Sequence, residues 1–166
     1  MLLRKLAAQT LAPNRHHAPD IAAYVIGPSG AGKSTYVKKN YPADRFFILH
    51  SDRYADKNID GTVNIDWKRG LFDGAASGKP IVIDSYHVNR YLMSLAKDKI
   101  LLDPGRVKTL AQLIGRRHGT HKTSWKHSPN DKLERFNLKA RKVAEELGFV
   151  TKTAAIRSLA HVLTER

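Results

Sequence analysis

Cysteine is absent from the 166 residues, which excludes disulfides and thiolate metal sites. That absence fits the cytosol, and a cytoplasmic protein is the expectation. No apolar run approaches the ~20 residues that cross a bilayer, so no membrane segment is expected. Arg4 and Lys5 follow only two leucines, without the longer apolar core of a signal peptide. Acids are also scarce. Only 15 Asp and Glu face 29 Lys and Arg, a formal net charge of +14. Between Asp103 and Asp131 there is no acid at all, while Arg106, Lys108, Arg116, Arg117, Lys122 and Lys126 fall there, with His118, His121 and His127 interleaved. So positive a surface concentrates polyanions and speeds their capture, and nucleic acid is the expected partner. A generally basic, solubilising composition is the plainer alternative. No obligate protein partner is evident.

What is present describes a globular chain, with 42% hydrophobic and 27% charged residues. Its length suits one domain, and no internal repeat is visible. Leucines at 2, 3, 6 and 11 predict a short amphipathic helix, and Pro13 to Pro19 a loop, so residues 1–19 read as an extension and 20–166 as the domain. Apolar runs predict strands at Ile21–Ile26, Phe46–Leu49, Ile81–Asp84 and Ile100–Leu102, with a last one at Phe149–Thr151. Helices are predicted at Lys33–Lys39, Asp66–Ala76, Asn89–Ala96, Val107–Arg117, Asp131–Leu147 and Thr153–Leu163. Alternating strands and helices point to an α/β fold: three layers, with a parallel sheet of four or five strands covered on both faces.

The strongest motif is Gly27-Pro28-Ser29-Gly30-Ala31-Gly32-Lys33-Ser34-Thr35, a glycine, four residues and Gly-Lys-Ser between a strand and a helix. Glycines let such a loop curl until its N–H groups point inward at phosphate oxygens, and the following helix adds its N-terminal dipole. Lys33 is placed to reach the β- and γ-phosphates, and Ser34 to put a hydroxyl on magnesium. The expected cofactors are therefore ATP and Mg2+, held by Gly27, Ser29, Gly30, Ala31, Gly32, Lys33, Ser34 and Thr35.

Two acids stand at strand ends, where ligands sit in open parallel sheets. Asp84 closes Ile81-Val82-Ile83 and suits magnesium support, or else a strand-end cap. Asp52 follows Phe46–Leu49 and suits orienting an acceptor hydroxyl and taking its proton, or else capping a helix. Asp56 and Asp60 lie nearby but end no strand. A kinase also needs an arginine-bearing lid over the phosphates. The segment Arg116 to Lys126 is the candidate, within a lid spanning about 116–130, with a solvated basic loop as the alternative.

Together GPSGAGKST, HSDRY, IVIDSYHVN and LIGRRHGT leading to SPNDKLERFNLKARKVAEELGF resemble the P-loop kinases related to polynucleotide 5′-hydroxyl kinases and zeta-toxin-type kinases. The resemblance spans Tyr24 to Phe149. It implies that Asp52 activates the acceptor hydroxyl, Asp84 supports magnesium and Arg116 is the first lid arginine. It also implies that Arg53 and Arg90 lie near the acceptor, where they meet a nucleic-acid phosphate. The chain departs from the family at the second lid arginine, where it offers Arg117, Thr120 and Lys122, and at Ser85-Tyr86 in place of Thr-Asn. These 166 residues contain no phosphatase or ligase domain, so a repair role is not part of the expectation.

The leading expectation is a kinase acting on a nucleic-acid hydroxyl, with Lys33, Asp52 and Arg116 catalytic and Arg53, Arg90 and Lys122 binding the acceptor. Arg116 and Arg117 would contact the nucleotide. A kinase for a nucleotide, nucleoside or sugar is the second reading, with Trp67, Tyr54 and Tyr86 able to stack on a base or simply to pack. A nucleotide-binding switch is the third.

Overall fold

A computed structural model describes residues 18–103, 105 and 129–152. The expected helices at the two termini, the helix Val107–Arg117 and the lid with Arg116, Arg117 and Lys122 lie outside them.

In chain order the elements are β1 (Ile21–Ile26), α1 (Lys33–Asn40), β2 (Phe47–His50), a 3-10 turn (Ser51–Tyr54), β3 (Ala55–Lys57) and β4 (Val63–Ile65). Then follow α2 (Trp67–Ser77), β5 (Ile81–Ser85), α3 (Arg90–Leu95), β6 (Asp98–Leu102), α4 (Pro129–Phe136), a π-helical turn (Asn137–Arg141), α5 (Lys142–Glu146) and β7 (Val150–Lys152). Five strands form one parallel sheet in the order β2-β5-β1-β6-β7. The chain leaves β1, skips one place to β2, returns through β5 and then crosses to β6. The strand order therefore reverses around β1, and a crevice opens at the carboxyl ends there.

Helices cover both faces, as continuous apolar strands require. Val37 and Tyr41, from α1 and the residue that ends it, pack with Ala23, Val25, Val82 and Ile100 on one face. On the other, Leu92 and Met93 of α3 and Phe136, Ala140 and Ala144 join Tyr24, Ile26 and Ile83. Ile21 shares that second face with Tyr24 because the register of β1 against β5 shifts between Ile21 and Ala23, the effect of one extra residue in a strand. Helix α2 lies close on the sheet through two glycines. A Cβ on Gly70 would come within 2.8 Å of Leu49, and one on Gly74 within 2.6 Å of Ile81.

The predicted second strand slides by one residue, because the Phe46 N–H closes a turn onto Pro42. The predicted helix Asp131–Leu147 is interrupted by the π turn at Asn137–Arg141. Arg141 sits inside it, donating Nε to Asn137 and Nη1 to Asp103 at 2.8 and 2.6 Å. The antiparallel hairpin β3–β4 has no counterpart among the predicted strands. Its strands ADK and VNI are three residues each and largely exposed, so neither an apolar run nor an alternation marks them.

Candidate functional site

Strand β1 delivers the chain into the loop Gly27–Gly32, and α1 starts at Lys33. Gly27 passes so close to β6 that a Cβ there would stand 2.8 Å from the Leu102 carbonyl oxygen. Gly30 and Gly32 hold φ of 82° and 85°, the left-handed region that favours glycine. The Ala31 N–H bonds to the Pro28 carbonyl at 3.0 Å and tightens the bend. Lys33 folds back over the loop and donates Nζ to the Pro28 carbonyl at 3.1 Å.

The neighbouring strands bring the acids. Register pairs Val25 with Asp84 and His50 with Asp84, so the ends of β1, β5 and β2 lie side by side. Asp84, 6% exposed, accepts through one oxygen from the Ser34 hydroxyl at 2.8 Å and from His50 Nδ1 at 2.9 Å. Burial by itself would raise its pKa. The His50 hydrogen bond, the Lys33 charge and the Ser34 hydroxyl outweigh it, and the carboxyl is held below the ordinary aspartate value.

Asp52 sits exposed on the 3-10 turn that follows β2. That turn is fastened by Tyr54, whose hydroxyl donates to Asp73 of α2 at 2.8 Å and whose carbonyl accepts from the Asp66 N–H. Of the nearby acids, Asp60 is consumed by its own turn, accepting from the N–H and hydroxyl of Thr62 at 2.9 and 2.7 Å, and Asp56 is exposed on β3. After β5 the chain is locked by Ser85, which accepts from the His87 N–H at 2.8 Å, and by the Tyr24 hydroxyl, which donates to the His87 carbonyl. Burial pushes the His87 imidazole below its usual value. The Asp52 charge opposes this, while Lys33 and Lys139 add to it.

These pieces border one cleft of about 990 Å³. Ser29, Gly30, Gly32, Lys33 and Ser34 form its loop side, with Asp84 and His50 behind them. Asp52, the hairpin residues Gly61 to Ile65, Trp67, Tyr86, Arg135 and Lys139 line the rest of it. Three cations therefore face two carboxylates. Ser34 and Asp84 are oxygen donors suited to a hard cation. Among the described residues there is no group of three or more His, Cys, Asp or Glu that could hold a metal, and none of the helices is long and apolar enough to cross a membrane.

Not every expected residue reaches the cleft. Ala31 is buried in the core and Thr35 is exposed on α1. Arg53 is exposed on the 3-10 turn, outside the cleft lining. Arg90 pairs with Glu146 at 3.1 Å, its side chain 61% exposed, and also lies outside the lining. Tyr54 is held by Asp73, so of the three aromatics expected to stack, Trp67 and Tyr86 border the cleft, where Phe136 joins them. Sequence reasoning missed His50, Arg135 and Lys139. His50 was legible in principle, since it immediately precedes Ser51-Asp52 at a strand end. The other two needed the docked positions of α4 and the π turn. No family model matches the chain, and no curated protein does either.

Proposed function

We propose that this protein is an ATP-dependent P-loop phosphotransferase that moves the γ-phosphate onto a hydroxyl of a nucleic acid, most simply a 5′-hydroxyl end or a hydroxyl on a modified base. The observation that carries this reading is the meeting of the Gly-rich loop, Lys33, the Ser34–Asp84 pair and a second acid, Asp52, in one cleft.

The loop N–H groups and Lys33 hold the β- and γ-phosphates. Ser34 donates its proton to Asp84, which leaves its oxygen lone pairs available to a cation. Ser34 and Asp84 would hold magnesium together with phosphate oxygens and water. When bound it neutralises charge on the β- and γ-oxygens. Asp52 orients the acceptor hydroxyl. As the acceptor oxygen bonds to the γ-phosphorus, the bond from that phosphorus to the bridging oxygen breaks. The electron pair leaves with ADP, and the hydroxyl proton passes to Asp52 and on to water. An ordinary carboxylate is a weak base for an alcohol, so Asp52 contributes more by orientation than by proton affinity.

The nucleic-acid acceptor is supported by the charge of +14 and by the resemblance of HSDRY and IVIDSYHVN to the polynucleotide-kinase group. A compact acceptor such as a nucleoside or sugar is the second reading. A cleft of about 990 Å³ with Trp67, Tyr86 and Phe136 in its lining favours it, since small-molecule sites run to roughly that size.

The test is transfer of labelled γ-phosphate, with magnesium, to 5′-hydroxyl DNA and RNA, hydroxymethylated DNA, nucleosides, nucleoside monophosphates and sugars, with Asp52→Asn as control. Label on a polymer that disappears in Asp52→Asn is expected. Label confined to a small molecule would select the second reading, and label on none would remove the kinase reading.

A further inference from the structure

Part of the cleft lining comes from α4 and the π turn, whose seat is well defined. Phe136 and Ala140, 1% and 4% exposed, are buried in the core. Arg135 and Lys139 immediately precede them, one turn apart, and both stand exposed on the cleft. The backbone beneath them is pinned, because Arg141 of the π turn is bonded to Asn137 and to Asp103 at the end of β6. Among the described residues no ion pair engages either cation. Two like charges one turn apart repel each other and do nothing for the helix. A π turn at the border of a cleft is a frequent mark of a functional position.

The side from which these cations approach tells which ligand they serve. Helix α1 and the residues that hold the loop belong to one face of the sheet. Phe136 and Ala140 share the other face with Tyr54, Trp67 and Tyr86, the side that carries Asp52. The charge of Arg135 reaches the Tyr86 phenol, and those of Lys139, Lys33 and Asp52 all reach His87, so the side is decided by the packing of Phe136 and Ala140. The donor phosphates already have Lys33 and the loop N–H groups.

We infer that Arg135 and Lys139 form a second phosphate subsite, on the acceptor side, which holds the phosphodiester next to the hydroxyl that Asp52 orients. The inference rests on the phosphotransfer reading for the role of Asp52. It names the acceptor as a phosphate-bearing nucleotide unit of a strand rather than a bare nucleoside or sugar, and it gives the strand contact to α4 and the π turn instead of Arg53 and Arg90.

Binding tests it without depending on turnover. A short 3′-labelled, 5′-hydroxyl single-stranded DNA is titrated with the full chain and with Arg135→Gln and Lys139→Gln, across a salt series. Thymidine and thymidine 3′-monophosphate serve as competitors, ATP with magnesium is titrated separately, and circular dichroism confirms that the variants fold. Each substitution should weaken strand binding roughly tenfold and lower the salt slope by about one. Thymidine 3′-monophosphate should lose affinity with the strand, while thymidine and ATP should not. Unchanged strand affinity and slope, or a loss that falls on ATP instead, would overturn the subsite. Strand binding that depends on both cations in a protein that transfers no phosphate would leave the subsite standing and remove the kinase reading alone.

Discussion

At the residue scale the site is a set of short distances that converge on Asp84. One carboxylate oxygen accepts from both Ser34 and His50, and the Lys33 charge helps hold it ionised. Replacing Lys33 with Met should reduce phosphate transfer by about a hundredfold or more, the scale at which one charge-stabilising donor acts, with folding unchanged by thermal melt. Gly27→Ala should be worse for the site than its small size suggests. The added Cβ meets the Leu102 carbonyl at 2.8 Å, and a sheet backbone cannot swing aside as a side-chain tip can. The loop would have to lift from β6, so ATP affinity measured by titration should fall sharply in a protein that still gives an α/β circular dichroism spectrum.

Packing of whole elements decides where those residues stand. Helix α2 carries Trp67 into the cleft wall and, through Asp73, fastens the turn that bears Asp52. It can do so only by lying close on β2 and β5. Gly74→Ala would place a Cβ 2.6 and 2.7 Å from two carbons of Ile81, itself 3% exposed. Overpacking of that kind costs about 1–3 kcal/mol, against a gain of about 1 kcal/mol in helix propensity. A net loss of up to about 2 kcal/mol in denaturant melts is expected. The π turn depends on its own anchor. Burial by itself would raise the Asp103 pKa, but the Arg141 and Gly105 hydrogen bonds and the Arg141 charge hold it below the ordinary 3.8. A carboxylate depressed on folding stabilises above its unfolded pKa and loses that contribution as pH falls through the folded value. The stability gap between wild type and Asp103→Asn should therefore be widest near neutrality and shrink below about pH 4.

For the whole molecule the governing quantity is the charge of +14. Were it only solubilising, strand binding and ATP binding would respond alike to salt. If it serves a polymer, affinity for single strands should fall steeply with added salt, while affinity for ATP with magnesium falls less. Equal slopes for the two ligands would remove the polyanion role and leave the loop chemistry in place.

The sequence by itself determined the parts whose signal is local. Apolar runs marked β1, β2, β5 and β6 to within two residues, because a buried parallel strand needs side chains that are apolar on both faces, whereas β7, VTK, is exposed throughout. GPSGAGKST marked the loop because a backbone that turns through the left-handed region, as at Gly30 and Gly32, needs glycine at set positions. Tertiary structure decided what came near what. The pairing of His50 with Asp84 is a register across β2 and β5, 34 residues apart in the chain. The release of Arg53 and Arg90 from the cleft, and the arrival of Arg135 and Lys139 in it, follow from how a turn and three helices pack. The hairpin β3–β4 was invisible because its exposed, three-residue strands bury too little to leave a pattern. A motif names the chemistry that a segment can perform, but only a packed sheet decides which side chains share its space.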